Sequence, residues 1–347
     1  MTPNRIVNED LDNIIQYDID WKQFDGKTVL ISGANGFLPA YIVETLLHLK
    51  YKGIISDILV LALVRNREKA EKKFAHHLDN HALQFIVKDV CEVDNIEQKI
   101  DFIIHAASQA SPKYYGTDPV GTLKANTIGT YNMLELARKH HVQSMLNFSS
   151  SEVYGNITPE NGIRESDYGF IDICNVRSCY CESKRMGETM CVSFALQYGV
   201  KVKTVRPFHT YGPGMLLDDG RVFADFVGNI IRNEDIIMTS DGSAERAFCY
   251  LTDATKAFFK ILLEGENGQS YNMGNPSGNL TIKELAQTLV AMYPERKLTA
   301  KFKVQEGPYL QSKVSINLPN VDKLHALGWT PEVTPFEGFK RTIESYK

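Results

Sequence analysis

The sequence predicts an α/β fold, a doubly wound parallel sheet with a smaller C-terminal lobe. Three observations lead there. Short unbroken apolar runs recur at 28–32 (TVLIS), 58–64 (ILVLALV), 83–87 (LQFIV), 102–107 (FIIHAA), 144–150 (SMLNFSS) and 202–208 (VKTVRPF). Helical patterns separate many of them. A turn containing Gly33 and Gly36 joins the first run to the first helix. Runs that do not alternate in polarity belong to strands buried on both faces, as in parallel sheets covered by helices.

The elements follow in order. Residues 1–26 read as an N-terminal extension, acidic and broken by polar residues. They lack the basic and then apolar order of a signal peptide, and no run of about 18 apolar residues occurs, so a cytoplasmic protein without a membrane span is expected. A helix covers 40–50, and the charged stretch RNREKAEKKF follows the second run. Longer helices cover 121–140 and 180–198. The dinucleotide-binding domain is assigned to 27–207, with about 240–260 returning to it. Beyond 208 Gly, Pro and Asp become frequent and the pieces shorten, so 208–347 is mostly a substrate lobe.

Composition narrows the function. With 38 basic and 42 acidic residues the net charge is −4, which offers no basic face to nucleic acid. Six cysteines include no C-x-x-C pair and read as reduced thiols. His76, His77 and His81 lie in a charged, polar segment, and no metal site is expected there.

Two motifs carry chemistry. In SGANGFLPA, Gly33 and Gly36 permit a tight turn and a close backbone approach. The helix that follows offers unpaired N–H groups to a pyrophosphate. Pro39 stands where a third glycine is usual, at a helix start that tolerates it. The second strand ends in Val64-Arg65-Asn66-Arg67, without the acid that would hold a ribose 2′-hydroxyl. Arg65 suits either a 2′-phosphate or stacking on adenine. Asp89 and Val90 follow the third strand as candidate adenine contacts. Further on, Tyr180 and Lys184 lie four apart on one helix face. An ammonium beside a phenol favours the phenolate, which can take a hydroxyl proton while hydride leaves.

With HAAS (105–108), ANTIGTYNML (125–134), SSSEVYG (149–155), RPFHTYGPG (206–214) and RAFCYLTD (246–253), the chain resembles the extended short-chain dehydrogenase/reductases. It looks like a member of their NAD-dependent nucleotide-sugar epimerase/dehydratase family, and is most similar to UDP-glucuronate decarboxylases. The resemblance spans residue 27 to the C-terminal LGWTPEVTPFEGFKRTIE. It implies a Rossmann sheet and NAD as cofactor, with NADP possible. The cofactor would lie along Gly33, Asn35, Gly36, Phe37, Leu38, Arg65, Asp89, Val90, Ala106, Ala107, Ser108, Asn126, Tyr180, Lys184, Pro207 and His209.

It also implies a nucleotide-diphosphate sugar as substrate, contacted by Lys113, Arg221 and Arg246. The chemistry would be redox-neutral through a 4-keto sugar. Tyr180 would act as base, Ser150 would hydrogen-bond the C4 oxygen, and Ser151 and Glu152 would face C5. 4,6-Dehydratases carry an Asp-Glu pair here, and Ser151 is a poor general acid. Simple 4-epimerases have a small or neutral residue at 152. Ser-Glu therefore favours decarboxylation, leaving dehydration, epimerisation and NADPH-dependent reduction of a 4-keto sugar as alternatives. A cofactor-holding module without turnover is disfavoured by the intact Ser150, Tyr180 and Lys184. Members of the family commonly form homodimers through two helices, here near 120–140 and 180–198. Pro39, the basic end of the second strand, His209 and the segment 156–175 depart from the decarboxylase pattern.

Overall fold

The structure is a computed structural model and describes residues 2–157, 159, 161–218, 220–302 and 316–347. The part of the sequence-assigned lobe at 303–315 lies outside these. In chain order the first half holds α1 (Arg5–Ile15), β1 (Lys27–Ser32), α2 (Phe37–Tyr51), β2 (Ile58–Val64), α3 (Arg67–Lys73), β3 (Leu83–Val87) and β4 (Phe102–His105). Then come α4 (Lys113–Thr117), α5 (Pro119–His140), β5 (Ser144–Phe148), α6 (Ser178–Tyr198) and β6 (Val202–Pro207). The remainder is β7 (His209–Tyr211), α7 (Val222–Arg232), β8 (Ile236–Met238), β9 (Glu245–Tyr250), α8 (Leu251–Glu264), β10 (Ser270–Met273), β11 (Asn279–Thr281), α9 (Ile282–Ala291), β12 (Ala300–Phe302), β13 (Ile316–Asn317), α10 (Asp322–His325) and α11 (Pro335–Glu344).

Seven parallel strands form the main sheet in the order β10-β6-β5-β4-β1-β2-β3. Alternate residues of each strand supply opposite faces. Val29 and Ile31 of β1 pack with α1, α2 and α8, whereas Leu30 packs with α5 and α6. This two-sided burial is why the strands read as continuous apolar runs. The strand order reverses around β1, between β4 and β2, so a crevice opens there at the carboxyl ends of the strands.

The chain crosses between its two parts more often than the sequence boundaries suggest. The N-terminal extension at 1–26 packs against the main core, with Leu11, Ile14, Trp21 and Phe24 buried in it. Asp10 of α1 accepts hydrogen bonds from Tyr41 of α2 and Tyr250 of β9, and also from Arg341 of α11. These polar residues gave no apolar signal, because their burial depends on partners distant in sequence. The return to the main sheet includes β10 as well as α8. The smaller lobe has its own core, built on Phe223, Phe226, Ile230, Phe248, Leu285, Leu289 and Phe339.

Candidate active site

A cleft of about 1460 Å3 runs from the carboxyl ends of β1, β2 and β3 to the smaller lobe. Its floor begins at the turn after β1. Gly33 has φ +66°, and a Cβ there would stand 2.8 Å from the Cα of Ala107. Only glycine lets the β1 turn pack so closely on the segment after β4. That segment is fixed from behind. Ser32 Oγ accepts from the N–H groups of Ala106 and Ala107 and lies 2.7 Å from His105 Nδ1. Burial, with Lys184 adding to it, holds the His105 imidazolium form off until about pH 3. The neutral ring can therefore accept from Ser32 through Nδ1 and donate through Nε2 to Thr130 Oγ1, 3.1 Å away.

β5 ends at one wall of the cleft. Ser150 follows it in extended backbone, with its hydroxyl accepting from Glu152 N–H, and residues 151–154 make one 3-10 turn. α6 crosses beneath. Lys184 Nζ donates to the Phe148 carbonyl at 2.6 Å, tying α6 to the end of β5. One turn earlier, the Tyr180 phenol faces Ser150, and its ring stacks on Tyr115 at 5.0 Å. Burial pushes the Tyr180 phenol up to about 12, while the neighbouring Ser150 hydroxyl opposes that rise. Burial brings the Lys184 ammonium down to about 7, with Glu188 opposing.

Ser151 and Glu152 part ways. The Ser151 hydroxyl accepts from Asn317 Nδ2 of β13 at 3.3 Å. The Glu152 carboxylate instead pairs with Arg177, Nη1 to Oε2 and Nη2 to Oε1, each at 3.3 Å. Arg177 also lies over the Tyr115 ring. Arg221, Arg246 and His209 line the lobe side. Burial, then Arg246 and Arg221, depress the His209 imidazolium, which keeps the ring neutral.

Most of the sequence-assigned residues line this one cleft: Gly33, Asn35 to Leu38, Arg65, Asp89, Val90, Ala106 to Ser108, Ser150 to Glu152, Tyr180, Lys184, Pro207, His209, Arg221 and Arg246. Two do not. Lys113, on the short α4, lies over the Tyr114 ring and is not part of the cleft wall. Asn126 is buried behind the wall and donates to Ser183 Oγ, joining α5 to α6. Sequence reasoning passed over Arg177, Asn317 and Tyr115. Arg177 carried a signal, since it stands three residues before Tyr180 and so is within one helical turn of it. Asn317 carried none, because only the tertiary fold brings β13 to Ser151.

The cleft fits a dinucleotide. The Gly33 and Gly36 turn leaves the backbone open at the start of α2, where unpaired N–H groups begin. Polar atoms of Ser108, Ser149, His209 and Asn317 are buried along the cleft without a partner among the described residues, as expected where a ligand completes the hydrogen bonding.

A second polar cluster lies outside the cleft. His76 and His77 each approach a different oxygen of the buried Glu44 at 2.9 Å.

The chain has recognisable relatives. The model of the NAD dependent epimerase/dehydratase family matches residues 29–274. UDP-glucuronic acid decarboxylase 3 of Arabidopsis thaliana is 34% identical over 324 residues, covering 92% of this chain and 89% of its own. UDP-glucuronic acid decarboxylase 1 of Danio rerio is 34% identical, covering 93% of this chain and 73% of its own. Among solved structures, UDP-glucose 4-epimerase of Thermotoga maritima, crystallised with UDP-glucose, superposes with a TM-score of 0.77 at 23% identity, covering 92% of this chain and 98% of its own. The dTDP-glucose 4,6-dehydratase of Bacillus anthracis, solved with NAD, gives 0.76 at 18% identity, covering 92% and 96%. These two likenesses are of fold.

Proposed function

Because the chain belongs to the NAD-dependent epimerase/dehydratase family, we propose that it decarboxylates UDP-glucuronate or a closely related nucleotide-diphosphate uronic acid. The observation that carries this reading is the Glu152–Arg177 pair beside Tyr180. It puts a guanidinium, a good partner for a sugar carboxylate, on the side of the site where C5 would face. Relatives named as UDP-glucuronic acid decarboxylases support the same substrate.

In this mechanism Tyr180 takes the proton of the C4 hydroxyl, and Ser150 holds the C4 oxygen. Lys184, anchored on the Phe148 carbonyl, favours the phenolate through its charge. The nicotinamide, when bound, supplies redox chemistry by taking hydride from C4 and later returning it. With C4 a ketone, the C5 carboxylate belongs to a β-keto acid. The bond from C5 to the carboxylate carbon breaks, CO2 leaves, and the electron pair enters an enolate on the C4 oxygen. Ser150 and the protonated Tyr180 stabilise that oxygen by hydrogen bonding. A proton from water then adds to C5, and Tyr180 gives its proton back to the C4 oxygen as the ketone becomes an alcohol again. Arg177 orients the departing carboxylate, and Glu152 sets the position of Arg177. Arg221 and Arg246 would meet the diphosphate. The Ser151 hydroxyl, held by Asn317, is poorly suited to protonate a leaving hydroxyl, which argues against dehydration.

Incubation with UDP-, dTDP-, CDP- and GDP-sugars, uronic acids included, followed by product mass tests the reading. Loss of CO2 is expected. Loss of water, or unchanged mass with altered stereochemistry, would replace it with dehydration or epimerisation. Consumption of added NADPH alone would replace it with reduction of a 4-keto sugar.

A homodimer forms part of the reading. Ile128 and Tyr131 of α5, with Met186, Val192 and Leu196 of α6, are exposed apolar residues, Leu196 at 88%. A second copy would cover them. The cytoplasm is the proposed compartment, supported by six unpaired cysteines. Among the described residues no helix is long and apolar enough to cross a membrane.

A further inference from the structure

The end of the cleft beyond the Gly33 turn departs from what an unphosphorylated ribose asks for. Cofactors with a free 2′-hydroxyl are held by an acid at the end of the second strand, and those with a 2′-phosphate by an arginine nearby. β2 ends at Val64, and the next residue is Arg65, whose side chain is 64% exposed and lines the cleft. Asn66 does not supply the missing acceptor, because its side chain caps α3 by accepting from Lys69 N–H at 2.8 Å.

The acids nearby are already engaged. Asp89 accepts from Cys91 N–H at 2.8 Å and stands 3.9 Å from Arg65. Asp118 accepts from Gly121 N–H and from the Gln109 amide. Around them Lys69 and Lys72 of α3, Lys88 after β3 and Lys124 of α5 also line the cleft. Lys88 is paired with Asp94 at 3.0 Å. This end of the cavity is therefore cationic, although the whole chain has a net charge of −4.

We propose that the adenosine end of the cleft is built for a 2′-phosphate, so that this chain binds NADP more tightly than NAD, with Arg65 forking onto the phosphate and Lys69 flanking it. The proposal rests on the cofactor site of the family reading and is independent of which sugar is turned over. A guanidinium–phosphate pair is charge-assisted and bidentate, and hydrogen bonds to charged groups contribute about 1.5–3 kcal/mol. That corresponds to roughly tenfold to hundredfold in affinity. The dianionic phosphate also makes the preference fall with salt.

The test uses the full chain without any sugar. Calorimetric titrations compare adenosine 2′,5′-bisphosphate with 5′-AMP, and NADP with NAD. The expected result is tighter binding of each 2′-phosphorylated ligand, by about tenfold or more. Arg65→Ala should erase most of the ratio and Lys69→Ala part of it. Both side chains are exposed, so neither change threatens the core. Arg65→Asp should invert the ratio toward NAD. Equal affinities, tighter NAD, or a ratio unmoved by Arg65→Ala would overturn the proposal. If none of the four ligands bound, the cofactor site itself would be wrong and the proposal would fall with it. A failed sugar panel with the ratio intact would overturn the decarboxylase reading and leave this one standing.

Discussion

Arg177 lays its guanidinium across both oxygens of Glu152, while the same arginine covers the ring of Tyr115 that stacks on Tyr180. The ion pair is thus fastened to Tyr180, the base of the proposed mechanism, through an aromatic stack. Its contacts of 3.3 Å are longer than a tight charge-assisted bond, which leaves Arg177 able to turn part of its fork to a substrate carboxylate. Arg177→Met should lower kcat/KM for a uronic acid substrate by roughly tenfold to hundredfold, the scale of one hydrogen bond to a charged group. C4 oxidation of an uncharged UDP-hexose, followed by reduced-nicotinamide fluorescence, should change much less. An equal loss on both substrates would mean that Arg177 only supports Tyr115.

Tyr180 and Lys184 share a protonation problem. Burial sets the phenol near 12 and the ammonium near 7, and the ammonium lies 5.8 Å from the ring centroid. The pair loses its first proton near pH 7. The remaining proton can sit on the phenol, beside a neutral amine, or on the ammonium, beside a phenolate, and the second arrangement is the one the proposed mechanism uses. The kcat/KM profile should therefore rise with pH through a midpoint near 7. Lys184→Met leaves the tyrosine alone, so the limb should move up toward 12 and neutral activity should fall by orders of magnitude. Tyr180→Phe should abolish C4 oxidation while keeping the stack on Tyr115. A Lys184→Met profile with an unmoved acid limb would show that the lysine does not govern the base.

The cofactor turn gives a cleaner structural prediction. At Gly33 a Cβ would meet the Ala107 backbone at 2.8 and 3.0 Å in a conformation that L-residues rarely adopt. Gly33→Ala should push the β1 turn off the segment after β4 and weaken cofactor binding by tenfold or more, about the cost of modest backbone strain. Nucleotide titration reads the loss directly. Unchanged affinity would place the pyrophosphate elsewhere.

Much of this site was legible in the sequence because its parts are local. The runs at 58–64 and 83–87 are strands over those same residues, since two-sided burial leaves an unbroken apolar signature. Gly33, Tyr180 and Lys184 declared themselves through short-range geometry: a turn that only glycine permits, and one helical turn of spacing. Asn317 is different. It reaches Ser151 from 166 positions away in sequence, and no pattern around residue 317 announces that contact. Asp10 is hidden for the same reason, being a buried carboxylate whose partners Tyr41, Tyr250 and Arg341 come from three distant elements. Asn126 has a local motif of its own, and its amide joins α5 to α6 rather than lining the cleft.

The paired faces of α5 and α6 predict a solution state. Val192 and Leu196 are exposed one turn apart on α6, beside exposed Ile128 and Tyr131 on α5. Light scattering should report a dimer, and Val192→Glu with Leu196→Glu should yield a monomer of unchanged fold by circular dichroism. A monomeric parent protein would remove the dimer from the reading.

Glu44 gives a prediction about stability alone. It sits in α2, a helix buried along most of its length, with its side chain 9% exposed. Burial raises its carboxyl, but hydrogen bonds from His76 and His77 outweigh that and bring it down to about 2, from 4.5. A carboxyl depressed in the folded state stabilises that state above its unfolded pKa, and the contribution is lost as pH falls through the folded value. The window is therefore pH 4.5 down to about 2. The shift corresponds to about 3 kcal/mol at neutral pH. Glu44→Gln keeps the shape and removes the charge. It should lower the chemical-denaturation stability at pH 7 by up to about that amount, and the gap from the parent should close as pH drops through the window. A gap that stayed constant with pH would mean that packing of α2 on the segment 75–77, rather than the ionised carboxylate, is what holds these elements together.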